Sequence, residues 1–203
     1  GDLKPEFSDQ VEAGIKFNFG SGLSGTLSAY KINREDALVA IAGGIGVAAD
    51  GQQESKGFEA DLIYQPNASW QFLANYSHVK AEFVDSGPLS GAVKGNKLSG
   101  VPKQSGRLWA NYLVDTQAFK GVSVGAGVYA QNGVYLDSTN LYKTDGFFTV
   151  DAKVSYETSH FEAALALKNL TGEDYYERLP YHVTGRVQPS DDISAFLTLA
   201  YKY

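Results

Sequence analysis

Apolar and polar residues alternate along most of this chain, in runs of about ten residues separated by breaks rich in Gly, Ser, Asn and Pro, the pattern of half-buried β-strands. The last run is the clearest. In Asp192 to Tyr203, Ile193, Ala195, Leu197, Leu199, Tyr201 and Tyr203 share one parity, while Asp192, Ser194, Thr198 and Lys202 occupy the other with Phe196 and Ala200. Such a strand has one greasy face and one mostly polar face. Alone it fits a soluble sandwich as well as a membrane barrel, whose strands turn apolar side chains to lipid and a mixed face to the lumen.

The other runs repeat the pattern. Val11, Ala13, Ile15, Phe17 and Phe19 form the first apolar face, and Gly20-Ser21-Gly22 turns the chain into a second strand over Leu23 to Asn33. There Tyr30 and Ile32 switch parity relative to Leu23, Leu27 and Ala29, which a bulge or the upper rim would explain. A long connection, Arg34 to Gln53, leads to a third strand over Glu54 to Gln65. Its Ala37 to Ala49 stretch reads as a self-packed hairpin tip rather than a binding site. Pro66-Asn67-Ala68 then turns into a fourth strand, Ser69 to Phe83. After Val84 to Lys103 comes a fifth, Gln104 to Val114, closed by Asp115 to Gly121, and then a sixth from Val122 to about Tyr135. Leu136 to Gly146 connects to a seventh, Phe147 to Glu157, which Thr158-Ser159 turns into an eighth carrying Phe161, Ala163, Leu165 and Leu167. Leu170 to Asp191 precedes the final strand.

The connections alternate short and long throughout. A sandwich has no reason to sort every second connection into one length class, whereas an outer-membrane barrel has short periplasmic turns and long extracellular loops. The strands are also of the length, about ten residues, that a tilted spanning strand needs. Trp70, Tyr112, Tyr156, Tyr201 and Tyr203 sit near the turn-side ends, where an aromatic girdle belongs, and the opposite parities carry the charges. The fold class is therefore all-β, an antiparallel transmembrane β-barrel. An odd count near nine argues against a complete small barrel, because bacterial single-chain barrels close with even numbers.

Composition sharpens this picture. With 22 Gly, 13 Tyr and 11 Phe against no Cys and no Met, the chain leans towards aromatic-rich strands and has neither disulfides nor thiolate metal sites. A net charge of −6 without clustered Lys and Arg excludes a broad nucleic-acid surface. The longest apolar run, Ala37 to Ala49, is too short for a spanning helix, and the opening GDLKPEFSDQ carries no signal-peptide pattern. No catalytic constellation assembles. His78, His160 and His182 are isolated, no Gly-x-Ser-x-Gly elbow occurs, and the alternating glycines of Gly121 to Gly127 face no helix on which a phosphate could dock. The chain is not read as an enzyme.

Five segments, in order, resemble the C-terminal part of the barrel of TonB-dependent outer-membrane (siderophore) receptors. They are Leu3-Lys4-Pro5-Glu6 with Ser8, Asp9, Glu12, Ala13 and Gly14; Ser55-Lys56-Gly57-Phe58-Glu59-Ala60-Asp61; Gly95 to Lys103 with Trp109 and Tyr112; Lys168-Asn169-Leu170-Thr171 with Asp174 and Tyr175; and Gly185-Arg186 before the last strand. Pro189-Ser190-Asp191-Asp192 replaces the family's usual Pro-Arg, and Tyr203 its usual terminal Phe. The resemblance implies about the last nine strands of a 22-stranded barrel, with residues 1–203 forming one barrel portion and the plug, its TonB box and the first strands absent. It further implies uptake of a metal chelate, most commonly a ferric siderophore, with no resident cofactor and no protein-held metal.

The implied partners are TonB-ExbB-ExbD acting through the missing plug, outer-membrane lipid, the chelate itself, and the barrel assembly machinery through the C-terminal strand. The implied location is the outer membrane of a Gram-negative bacterium. Candidate ligand contacts are Tyr135, Tyr142, Arg178, Tyr181, His182 and Arg186, aromatic, cationic or polar groups in or beside long connections that suit an anionic or aromatic chelate. The competing reading of each is a solvated loop residue or a rim aromatic.

Overall fold

Period-two alternation turns successive side chains to opposite sides of a pleated strand, and short turns between such strands force antiparallel neighbours. The computed structural model follows that logic over the residues it describes, 5–40, 47–85, 93–178 and 187–203. Eight long strands follow one another: β1 Phe7–Phe19, β2 Leu23–Ala40, β3 Val47–Tyr64, β4 Trp70–Asp85, β5 Gln104–Leu113, β6 Val122–Gln131, β7 Phe147–Glu157 and β8 Phe161–Lys168. A small hairpin, β9 Tyr176–Arg178 and β10 Val187–Pro189, then interrupts the last long connection before β11 Ser194–Tyr201. One nine-stranded sheet results, in the order β1-β2-β3-β4-β5-β6-β7-β8-β11, every neighbour antiparallel. No second sheet of comparable size stacks on it among the described residues, so the sandwich alternative is set aside.

Local chemistry makes each short turn. Gly22, at φ +84, closes the first, where a Cβ would lie 2.1 Å from the Gln65 carbonyl oxygen. The Asn67 side-chain oxygen accepts from the backbone N–H of Ser69 and Trp70 at 3.0 and 2.9 Å, an Asx-type cap on the second. Thr158 closes the fourth through mutual backbone and hydroxyl bonds with Phe161.

The register fixes two faces. Rows such as Ile15↔Leu27↔Ala60↔Tyr76 and Tyr112↔Val124↔Val154↔Leu165↔Leu197 lie on one side, and rows such as Lys16↔Thr26↔Asp61↔Asn75 and Asn111↔Gly125↔Lys153↔Ala166 on the other. The apolar side stays open, with Val11 75% and Leu197 68% exposed. At its short-turn end, Trp70 lies 4.7 Å from Tyr112 and stacks on Phe72 at 5.4 Å, the girdle read from the sequence. Among the described residues no helix is long and apolar enough to cross a membrane.

Several boundaries differ from the sequence reading. Arg34 to Gln53 is largely strand, since β2 and β3 continue to Ala40 and from Val47, with register shifts between Arg34 and Leu38. The alternation there is masked by Ala, Gly and the bulge, and the tip at 41–46 lies outside the described residues. The parity switch at Tyr30 and Ile32 is not a bulge, because register is unbroken from Leu23 to Arg34. Both residues occupy the polar face, and Lys31 continues the apolar one at its rim. The sixth strand ends at Gln131 rather than Tyr135, although the same hairpin resumes as a Tyr135↔Lys143 bridge.

Candidate functional site

At the long-connection end of the polar face, strands β5 to β7 bring five side chains together. Register sets Arg107 beside Tyr129 and Gln131 beside Phe147. The Arg107 guanidinium lies 5.9 Å from the Tyr129 ring centroid and its Nη2 is 3.7 Å from the Asp151 carboxylate. The Tyr129 hydroxyl donates to Gln131 Oε1 at 2.8 Å. Tyr175, from the last long connection, stacks on Phe147 at 3.7 Å, and Phe147 in turn lies 6.0 Å from Tyr129.

Tyr175 is held there by its own segment. Its backbone exchanges bonds with Ser190, whose hydroxyl accepts from the Tyr175 N–H at 3.2 Å. Burial raises the affinity of the Tyr175 phenol for its proton, and Glu177, Asp151 and Asp191 add to the effect, so the group remains a neutral donor across physiological pH. The start of the segment is pinned by Asn169, 5% exposed and at φ +52. Asn169 donates to the carbonyls of Glu173 and Asp191 and accepts from the Glu173 N–H and the Thr171 hydroxyl. Its own N–H reaches Asp151 Oδ1 at 3.0 Å. The Asn-Leu pair quoted from the sequence is thus a structural pin.

A second built region joins two long connections. Asn140, at φ +59, accepts from the Lys97 N–H at 2.7 Å and donates back to the Lys97 carbonyl at 2.9 Å, while Asn96 donates to the Ser138 carbonyl at 2.8 Å. Asp137, 3% exposed, organises the 137–142 turn by accepting from the Thr139 hydroxyl and from the N–H groups of Thr139, Leu141 and Tyr142. Burial opposes the ionisation of Asp137, but these bonds outweigh it and hold its carboxyl below the usual aspartate range.

The residues chosen from the sequence separate on this geometry. Tyr135 is half-buried with the Lys143 ammonium 5.6 Å from its ring centroid. Tyr142 is 61% exposed and belongs to the opposite face of the same hairpin, its carbonyl accepting from Leu136. The Arg178 backbone pairs with Val187, and Tyr181, His182 and Arg186 lie outside the described residues. Sequence reasoning missed Arg107, Tyr129 and Phe147 because it searched connections rather than strands. Their signal was two aromatics and an arginine on the polar parity, where the pattern elsewhere places Ser, Thr and Asp. No group of three His, Cys, Asp or Glu among the described residues is placed to hold a metal ion.

A family model described as "TonB dependent receptor-like, beta-barrel" matches residues 1–170. The chain belongs to the TonB-dependent receptors. It is 30% identical over 186 residues to an uncharacterized TonB-dependent receptor of Haemophilus influenzae, covering 86% of this chain and 53% of that protein. It is 27% identical over 179 residues to the ferrioxamine B receptor of Salmonella typhimurium, covering 85% of this chain and 25% of the relative. Among solved structures it matches the siderophore receptor PiuA of Acinetobacter baumannii with a TM-score of 0.78 at 25% identity, over 97% of this chain and 28% of that one. The chain therefore spans about half of the first relative and about a quarter of the second. TonB-dependent receptors reside in Gram-negative outer membranes and are transporters, not enzymes. The apolar face of this receptor sheet is accordingly its lipid side, and the Arg107–Tyr129–Phe147–Tyr175 cluster lies on its lumen side, towards the long connections.

Proposed function

We propose that the protein to which this chain belongs is an outer-membrane active-transport receptor for a metal chelate, a ferric siderophore above all, driven by TonB-ExbB-ExbD. In this reading residues 1–203 supply the C-terminal part of the barrel wall, its upper lumen and its extracellular loops. The plug and its TonB box would come from elsewhere in the protein, and the last strand would serve the assembly machinery. The observation that carries the ligand reading is the lumen-side cluster. Arg107 offers a permanent cation, Tyr129 and Tyr175 offer aromatic faces, Tyr175 with a phenol donor, and Phe147 supplies the apolar floor. These groups suit a chelate that presents anionic or aromatic metal-binding arms. Tyr135 and Lys143, farther out along the same hairpin, would extend the surface, and Tyr142, Arg178, Tyr181, His182 and Arg186 remain proposed contacts of the outer loops. The siderophore assignment also draws on the relatives named as ferrioxamine B and siderophore receptors.

The test is uptake of radiolabelled iron from a panel of ferric siderophores by cells whose only such receptor is the full-length protein. At least one should enter in a TonB-dependent way, with Arg107→Ala raising the half-saturating concentration about tenfold. Uptake of none, or equal uptake in cells lacking TonB, would sink the reading.

A further inference from the structure

The lipid side carries a feature that cargo transport does not use. Lys31, Lys56 and Lys80 stand in one row across β2, β3 and β4, directly opposite one another in register and on the same face as Leu27, Ala60 and Tyr76. Like charges in directly opposed positions repel and weaken a sheet. Two glutamates in the next row offset part of this: Glu54 reaches Lys31 and Lys56 at 2.8 Å, and Glu82 reaches Lys80 and Lys97 at 2.7 Å. Asp9 completes the glutamates' row opposite Asn33, so four lysines against three carboxylates leave the patch with a surplus of one positive charge. His78 lies one row below, its ring stacked on Phe58 at 5.4 Å.

The height of the row identifies its surroundings. At about 3.3 Å per residue, Trp70 to Lys80 covers roughly 33 Å of strand, or about 23 Å of height at a tilt of about 45°. Trp70 belongs to the short-turn girdle, so the lysine row stands at the opposite edge of the apolar band, level with headgroups of the extracellular leaflet.

A groove runs down the same face from beside the row. Its upper part, about 510 Å³, opens at Gln104, the register partner of His78, and is floored by Ala74, Gly106 and Ala130. It shares Leu62, Ala74, Leu108 and Val128 with a lower part of about 660 Å³ that ends at Tyr64 and Phe72, on the girdle. Small side chains in adjacent strands leave a channel between flanking rows of larger ones. A cationic mouth at headgroup height above an apolar channel matches one class of molecule, an acylated lipid with a phosphate-bearing headgroup.

We infer that this face is a specific seat for one phosphorylated lipid of the outer leaflet, its phosphate among Lys56, Lys80 and Lys31 and an acyl chain along the Ala74–Gly106–Ala130 groove. The inference rests on family membership and the register of the sheet, and is independent of which chelate is carried. The opposed lysines are then relieved by the lipid anion, and the glutamates space them around it.

The test is native mass spectrometry of the intact receptor purified from outer membranes, with bisphosphorylated lipid A, its dephosphorylated form and its deacylated disaccharide bisphosphate as probes. The unboiled gel band checks folding separately from binding, and siderophore uptake is not the readout. The phosphorylated lipid should remain bound and the other two should not. Lys56→Gln with Lys80→Gln should lower retention about thirtyfold, as expected for two lysines at a headgroup surface. Ala130→Phe, which fills the groove without touching the charges, should lower it as well. Equal retention of the dephosphorylated form would overturn the proposal, as would equal competition by the deacylated bisphosphate. Unchanged retention in both folded variants would do the same.

Discussion

Asp137 shows how one carboxylate sets the shape of an extracellular connection. Its oxygens collect three backbone N–H groups and a hydroxyl, donors that would otherwise lack partners at the end of the β6–β7 hairpin. Because the folded carboxyl titrates below its unfolded value, its contribution is fully present above the ordinary aspartate range and is lost as pH falls through the depressed value. Amide exchange should therefore find Thr139, Leu141 and Tyr142 protected at neutral pH and released in acid. Asp137→Ala should release them at every pH, with a local opening easier by roughly 1–3 kcal/mol. Protection that persists in the variant would mean the turn is held by other contacts. Asn140 and Asn169, both in left-handed conformations, have the same character: short polar side chains that hold a loop where a strand ends.

The pairing of β5 with β6 depends on a match between a tryptophan and two glycines. Trp109 lies against β6 so closely that a Cβ on Gly125 would come within 2.9 Å of its ring, and one on Gly127 within 2.4 Å. Its indole N–H donates to Asn111 Oδ1 at 2.7 Å, which places that oxygen 2.5 Å from the same Gly125 position. Gly125→Ala should therefore lower the stability of the intact barrel by about 1–3 kcal/mol, seen as loss of the unboiled gel band at a lower temperature. Trp109→Ala combined with it should cost less than the sum, since removing the indole also frees Asn111. Strict additivity would show that the packing is not the cause. The element scale is also where the sequence was most legible. Strand parity and turn chemistry are local, so the nine long strands and the Gly22, Asn67 and Thr158 turns could be read directly. The upper parts of β2 and β3 escaped because Ala, Gly and a bulge mask their alternation. Arg107, Tyr129 and Phe147 escaped for a different reason: only long-range register shows that residues on three strands meet Tyr175.

As a whole the sheet is one layer with two very different sides. Among the described residues, β1 pairs only with β2 and β11 only with β8, and open edges of this kind are satisfied in a barrel by closure. Charges divide by height as well as by side. Within the band Asp61, Arg107, Asp151 and Lys153 face the lumen, and only at the rim does the lipid side become cationic. The lysine row was legible in part, since Lys31 follows Ala29 on the apolar parity, but the alignment of three lysines required the register. The two tryptophans of the chain fall on opposite sides of this wall: Trp70 among the outer girdle aromatics, Trp109 over the lumen-side glycines. They are consequently a matched pair of optical reporters. In the intact receptor, the part of the emission lost in a Trp70→Phe variant should be the part that brominated acyl chains dim, and the part lost in a Trp109→Phe variant the part that aqueous iodide dims, each with little effect from the other agent. Equal quenching of both by one agent would mean the wall does not separate the two solvents, whereas clean separation would let one lamp report membrane insertion and lumen occupancy independently.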